Sequence, residues 1–450
     1  MTLQFGSSGI RGKYGEIITP ATAFELAKIL TRDLGLKLAL ARDPRLSSSV
    51  LRSAFLSAVL EQGAQITDYD MIPTPALAYQ SGHTHESGGV MITASHNPPE
   101  YNGFKIFNSK GETFDDETIR SWTNPKSKTK NPKVKLHEIE TAKPTEYKER
   151  LSHIQFEKEW RIVLDPGNGA TCQLAPEIYR QSSTKATAMN SFPDGNFPSR
   201  GSEPTKESEA SLCKVVAAAN ADAGVAFDGD GDRVYIIDEK GNCPLQDRVL
   251  GSYITCLARK SKGPFLVPVD ASMAVEEAAT KYGAKLLRGP VGDAKLLVEM
   301  KKVGASFAGE PSGAWIHGEY NLCPDGILSG LLYLKRLETL DLSVSEAVNE
   351  IPEYFMVRKS VGVTKKMSSS SVTRLSSELE KLIGKDSIVE TKFGVRVSSD
   401  DSWVLVRESG TEPVIRITTE SKQRSKANRI MKETLSSLSD AGRGDSRSGA

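Results

Sequence analysis

No stretch of this chain approaches the roughly 18 uninterrupted apolar residues that a membrane helix needs. Its first twelve residues include Arg11 and three glycines but no apolar run, so they do not read as a secretory signal. Charge of one sign is also lacking. Against 58 Lys+Arg stand 57 Asp+Glu, a net charge of +1, which argues against a dedicated nucleic-acid binder. Cysteine is scarce: Cys172, Cys213, Cys243, Cys256 and Cys323 are odd in number and show no C-x-x-C spacing. That excludes a disulfide framework and a cysteine zinc site, and leaves buried thiols in a reducing, cytoplasmic setting as the plain expectation. The six histidines show no H-x-x-x-H spacing. Neither G-x-x-x-x-G-K-[ST] nor G-x-G-x-x-G occurs, so nucleotide-binding readings fail.

What the 450 residues do contain is enough apolar side chain, 38 %, to bury several cores. Helix-period stretches alternate with short apolar runs such as Leu36 to Ala41, Val90 to Thr93, Arg161 to Asp165 and Gly224 to Phe227. Runs of this length between helices predict buried, largely parallel sheets of the α/β class. Residues 123–144, rich in Lys, Pro, Thr and Asn, read as an exposed connection. Four units result: 1–145, 146–250, 251–361 and 362–439, the last a smaller α+β domain. A polar tail, 440–450, reads as disordered.

Four loops carry chemistry. Asp228-Gly229-Asp230-Gly231-Asp232-Arg233 sets carboxylates at i, i+2 and i+4 on a loop whose glycines let them converge. All-oxygen donors suit a hard cation such as Mg²⁺. A calcium EF-hand does not fit, because Arg233 stands where that loop requires glycine and the flanks look like strands. Thr93 to Pro99 follows a strand, and Ser95 there is a candidate nucleophile or phosphate carrier, with His96 beside it and Lys105 downstream. Glu310 and Ser312, bracketed by Gly and Pro, suit a grip on vicinal hydroxyls. Ser409, Thr411 and the Gly410 amide form a donor nest, Arg407 adds the fork that matches phosphate, and Arg416 adds charge.

In this order FGSSGIRG, ARDPRLSS, TASHNPPEYNGFKIF, DGDGDR, GEPSG and RESGTEP resemble the motifs of the α-D-phosphohexomutase family. VDASM (269–273), VGD (291–293), GEPSGAWIH (309–317) and CPDGILSGL (323–331) look like its archaeal-type phosphoglucosamine mutases, with phosphomannomutase/phosphoglucomutase as the alternative. The resemblance implies three α/β domains and a TATA-box-protein-like C-terminal domain around a central cleft. It implies conversion of a hexose 6-phosphate, glucosamine 6-phosphate first, into the 1-phosphate through a phosphoserine and a hexose 1,6-bisphosphate. Ser95 would carry the phosphoryl group and, with Asp228, Asp230 and Asp232, hold Mg²⁺. Arg11, His96 and Lys105 match positions near the phosphoserine, with acid–base or electrostatic roles. Arg233, Glu310, Ser312, Arg407, Ser409, Gly410, Thr411 and Arg416 would bind substrate. Ala314 stands where many relatives have His, which bears on the sugar accepted. A silent sugar-phosphate binding protein and a phosphatase are the other readings. The expected partner is a small sugar phosphate, with neither nucleic acid nor membrane, in a monomer or homodimer.

Overall fold

In the computed structural model, residues 9–122, 137–363, 367–384, 386–409 and 414–444 are described. The apolar runs become strands in four sheets. The first holds β1 (Ile10–Lys13), β2 (Lys37–Arg42), β3 (Gln65–Met71), β4 (Gly88–Ile92), β5 (Tyr101–Asn108) and β6 (Ile139–Thr141), in the order β1-β5-β4-β2-β3-β6. The second holds β7 (Arg161–Asp165), β8 (Lys185–Ala188), β9 (Ala223–Phe227) and β10 (Val234–Ile237), ordered β10-β9-β7-β8. The third holds β11 (Phe265–Pro268), β12 (Leu286–Gly289), β13 (Phe307–Gly309) and β14 (Trp315–His317), ordered β12-β11-β13-β14. These sheets are parallel apart from β5 against β4 and β1, β10 against β9, and β14 against β13.

One placement recurs in all three. The Ser95 loop joins β4 to β5, the Asp228 loop joins β9 to β10, and the Glu310 loop joins β13 to β14. Each chemical loop therefore leaves the carboxyl end of a parallel strand just where the chain turns back antiparallel. That is where α/β sheets present side chains to a ligand.

The fourth sheet is wholly antiparallel: β15 (Phe355–Gly362), β16 (Ile388–Glu390), β17 (Val395–Ser398), β18 (Ser402–Glu408) and β19 (Val414–Ser421), ordered β15-β19-β18-β17-β16. Helices Ser369–Ile383 and Arg424–Gly444 cover one face, burying Leu375, Leu379, Ile430 and Met431 against Val397, Val404, Val406 and Ile417.

Several expected boundaries move. A cut at 250 falls inside helix Gln246–Ala258. A cut at 361 falls inside β15, which pairs with β19 over its whole length and so belongs to the fourth unit. Its apolar run stops at Val357, and the exposed Arg358, Lys359 and Ser360 that follow hide the rest of the strand. Ile139–Thr141, inside the expected connection, pairs with β3, while residues 123–136 lie outside the described ones. The last helix continues to Gly444, into the segment expected to lack structure. The first three units also share one buried cluster, from Tyr79 and Tyr147 through Ile162 and Val225 to Leu250, Trp315 and Leu331. The fourth has its own core and docks through a smaller patch of Val269, Met273, Trp403 and Leu405.

Candidate active site

Ser95 is buried and sits at φ 51°, a left-handed conformation unusual outside glycine. Arg45, fully buried, holds the loop in that shape. Its Nη2 donates to the carbonyls of Ser95 (2.8 Å) and Asn97 (2.6 Å), and its Nη1 to that of Tyr101 (3.0 Å). Asp43 fixes Arg45 in turn, accepting from its Nε at 2.9 Å and from Thr93 Oγ1 at 2.7 Å. From across the cleft Ser202 Oγ donates to the Asn97 carbonyl at 2.7 Å. ARDPRLSS thus serves as scaffolding for the serine loop, a role that spacing alone does not reveal.

Ser95 Oγ donates to Asp228 Oδ2 at 2.7 Å and lies 3.2 Å from His96 Nδ1. The ligand oxygens of Asp228, Asp230 and Asp232 all lie within 4.8 Å of one another. Gly229 permits this approach, since a Cβ there would stand 2.6 Å from the Ser95 carbonyl oxygen. Lys105, on β5, donates to Asp230 Oδ2 at 2.7 Å and also to Asp232 Oδ2. Arg11, on β1, donates to Asn97 Oδ1 at 3.4 Å. Arg233 pairs with Glu203 at 3.3 Å. Thus Ser95, His96, Lys105, Arg11, Arg233 and the three aspartates, far apart in the chain, form one group.

Burial and neighbouring charge together set the protonation of that group. Burial, reinforced by Asp232 and Asp230, pushes Asp228 well above the carboxylate range. Burial would also raise Asp230, but Lys105 outweighs it and holds that carboxyl low. For Lys105 burial acts downward, and the two aspartates overcome it and keep the amine a cation. His96 drops to about 2, through burial and then the charges of Arg233, Arg11 and Lys105, so its imidazole is neutral. Lys105 bonds only Asp230 and Asp232, so Asp228 is left where burial and its two neighbours disfavour its charge and an added cation would restore it. Asp230 Oδ1 is buried with no hydrogen-bond partner among the described residues. This donor set fits a hard divalent cation.

The Glu310 loop is tied directly to the strand that leaves the Asp228 loop. The Val234 amide donates to the Gly313 carbonyl at 3.1 Å, and a Cβ on Gly313 would meet the Val234 oxygen at 2.0 Å. Trp315, stacked on Tyr253 at 4.9 Å, donates to the Glu310 carbonyl at 3.2 Å. Glu310 Oε1 accepts from the Gly292 amide at 2.8 Å, and Ser312 Oγ donates to Oε2 at 3.4 Å. Burial pushes Glu310 up to about 7, with Asp293 and Asp270 adding to the rise.

Glu310 and Ser312 form one wall of a cavity of about 620 Å³, and the fourth sheet forms the opposite wall. Ser360, Arg416 and Arg407 are cross-strand partners on β15, β19 and β18, so their side chains share a face. Arg358 and Thr418 lie two residues along on the same face. Arg358, Ser360 and Asp270, which pairs with Arg407 at 3.5 Å, were not foreseen. A period-two reading of residues 355–362 as a strand would have exposed the first two. Ser409 ends the hairpin arm, its amide donating to the Val414 carbonyl at 2.9 Å, while Gly410 and Thr411 lie outside the described residues.

Models of phosphoglucomutase/phosphomannomutase match in sequence: α/β/α domain I over residues 2–129, domain II over 145–241, domain III over 246–355 and the C-terminal domain over 363–437. The chain belongs to this family. It is a phosphohexomutase. A protein named probable phosphoglucosamine mutase, from Methanothermobacter thermautotrophicus, is 37 % identical over 438 residues, 96 % of each chain. The crystal structure of a phosphoglucomutase/phosphomannomutase family protein from Burkholderia thailandensis superposes with TM-score 0.85 at 24 % identity, covering 98 % of both chains. Aspergillus fumigatus N-acetylphosphoglucosamine mutase, solved with GlcNAc-6P and magnesium, superposes with TM-score 0.65 at 15 % identity over 98 % of this chain and 96 % of its own. No helix among the described residues of this mutase is long and apolar enough to cross a membrane.

Proposed function

We propose that this phosphohexomutase interconverts glucosamine 6-phosphate and glucosamine 1-phosphate in the cytoplasm, with Ser95 as phosphoryl carrier and a 1,6-bisphosphate intermediate. The observation that carries the reading is Ser95 Oγ, 2.7 Å from Asp228 in a buried acidic cluster whose loop reaches, through the Arg233–Glu203 pair, a cavity with an arginine wall. Asp228, Asp230, Asp232 and a phosphoserine oxygen would hold Mg²⁺. Bound there, the ion supplies charge neutralisation to the transferring phosphoryl group.

The rest falls to the chain's own residues. In one direction the Ser95 Oγ–phosphorus bond breaks as a bond forms to the free sugar hydroxyl; the hydroxyl loses its proton and the departing Ser95 Oγ takes one up. His96 Nδ1, 3.2 Å from Oγ, faces the serine oxygen where that proton arrives, whereas Lys105 stays charged and, with Arg11, acts electrostatically. Arg407, Arg416, Ser409, Gly410 and Thr411 grip the phosphate that is not reacting, and Glu310 and Ser312 hold the sugar. After the bisphosphate turns over, its other phosphate returns to Ser95.

The amino sugar is favoured by the other charges of the cavity. Glu203, Asp247, Asp270 and Glu310 all line it. An ammonium at position 2 finds a carboxylate there, where a hydroxyl finds no charge to match. Protein primed with a hexose 1,6-bisphosphate should show its highest kcat/KM on glucosamine 6-phosphate, above glucose 1-phosphate and mannose 1-phosphate. A preference for either neutral sugar would replace glucosamine with that substrate.

Two kinetic results are expected at the cavity walls. Arg407→Lys keeps the charge but loses the two-pronged contact, so kcat/KM should fall roughly ten- to 150-fold, about 1.5–3 kcal/mol. Released bisphosphate should then rise, and activity should depend more on added bisphosphate. An unchanged kcat/KM and dependence would remove the fourth domain from phosphate binding. Glu310 must be ionised to accept from two sugar hydroxyls, and its carboxyl titrates at about 7. Raising pH through that value therefore increases the competent form, and kcat/KM should climb with it. Glu310→Gln should lower kcat/KM and flatten that rise. A rise that persists unchanged in the variant would belong to another group.

A further inference from the structure

Cys213 and Cys243 place their sulfurs 2.8 Å apart, yet both are free thiols. Cys213 lies in helix Ala210–Ala218, and Cys243 follows the turn after β10. The approach is fixed from several sides. Gly241 (φ +73°) brings the turn so close that a Cβ would stand 2.4 Å from the Cys213 carbonyl oxygen. Asp238 pins the turn by accepting from the amides of Lys240 (3.0 Å) and Asn242 (2.8 Å). Both sulfurs pack on the buried group of Leu212, Val216, Tyr235 and Ile237. Cys172, Cys256 and Cys323 are buried, whereas this pair is only half-buried, which corrects the expectation of five buried thiols.

We propose that Cys213 and Cys243 are a redox dithiol, a modification site that closes to an intramolecular disulfide in the presence of a small-molecule disulfide such as oxidised glutathione. One thiol, as thiolate, attacks the oxidant, forming a mixed disulfide and releasing one reduced thiol. The second cysteine then displaces the other half. Two protein S–H bonds are lost, one S–S bond forms, and two reduced small thiols leave, so electrons and protons balance. The sulfurs need approach by less than about 1 Å to reach the usual bond length of about 2.05 Å. Burial raises both thiols above their ordinary range, so thiolate is scarce near neutrality and the exchange is slow.

The cross-link would enclose β9, the Asp228–Arg233 turn and β10. It joins the chain beyond the far end of β10, away from the aspartates. Closure should therefore stabilise the second domain without reshaping the metal loop. The test treats native protein with excess oxidised glutathione, traps remaining thiols and maps the peptides. Free thiols should fall from the five of the sequence to three, with one linkage between the peptides of Cys213 and Cys243. The oxidised protein should keep mutase turnover and unfold at a higher temperature. Cys213→Ser should keep turnover and accumulate glutathione on Cys243 instead. Five thiols retained, mixed disulfides on both cysteines without a link, or a link through Cys172, Cys256 or Cys323 would overturn the site. Lost turnover on oxidation, or an unchanged melting temperature, would overturn the stapling role.

Discussion

Replacing Ser95 by Ala is expected to reduce mutase turnover by roughly 10⁴-fold or more, because alanine has no oxygen to form the phosphoester. The fold should survive. The loop is held through backbone carbonyls by Arg45, and alanine leaves those contacts in place. Asp228 loses the Ser95 hydroxyl on Oδ2 but keeps the amides of Gly231 and Arg233 on Oδ1, each at 3.1 Å. The stability cost should therefore be no more than about 1–3 kcal/mol. A steady-state assay together with a thermal melt checks both halves. An alanine variant that melts normally and still turns over would remove Ser95 from the chemistry.

Removal of the proposed Mg²⁺ is expected to be almost as severe. EDTA should inactivate the enzyme, and Mg²⁺ should restore it. Ca²⁺, larger and less demanding in geometry, should restore it poorly. Asp230→Asn should lower kcat by roughly 10²–10⁴-fold, the equivalent of several kcal/mol of charge stabilisation. The amide offers one neutral oxygen where Oδ1 now stands buried without a hydrogen-bond partner among the described residues. It also takes half of the carboxylate support from Lys105, leaving Asp232 as that amine's remaining partner. Weaker Mg²⁺ affinity, read by titration, should accompany the fall in kcat. Normal affinity and rate in the variant would mean that Asp230 is not a ligand.

Much of this site was legible in the sequence because each of its loops is short and sits next to a compact apolar strand. The strand fixes where the loop points, and residue types such as Asp-x-Asp-x-Asp name the chemistry. Features that depend on pairing between distant segments were not legible. Arg45 stands in a motif, but which carbonyls it holds follows only once β2, β4 and β5 lie side by side. The row of Ser360, Arg416 and Arg407 needs the register of three strands, and one of them, β15, has an apolar run only over Phe355 to Val357, before the row begins. Asp270 reaches Arg407 only because the third and fourth units dock. Domain boundaries moved for a related reason. Helix Gln246–Ala258 contributes Val249, Leu250 and Ile254 to the core common to the first three units, so no composition break marks its start.

The transfer between Ser95 and the sugar can be tested in a single turnover. Protein labelled in its phosphoryl group is mixed with one equivalent of unlabelled glucosamine 6-phosphate and quenched at successive times. Label on the peptide containing Ser95 should fall as label in glucosamine 1,6-bisphosphate rises, with no more than a trace as inorganic phosphate. Label that begins on another residue, stays on the protein, or leaves only as inorganic phosphate would contradict a mutase working through Ser95.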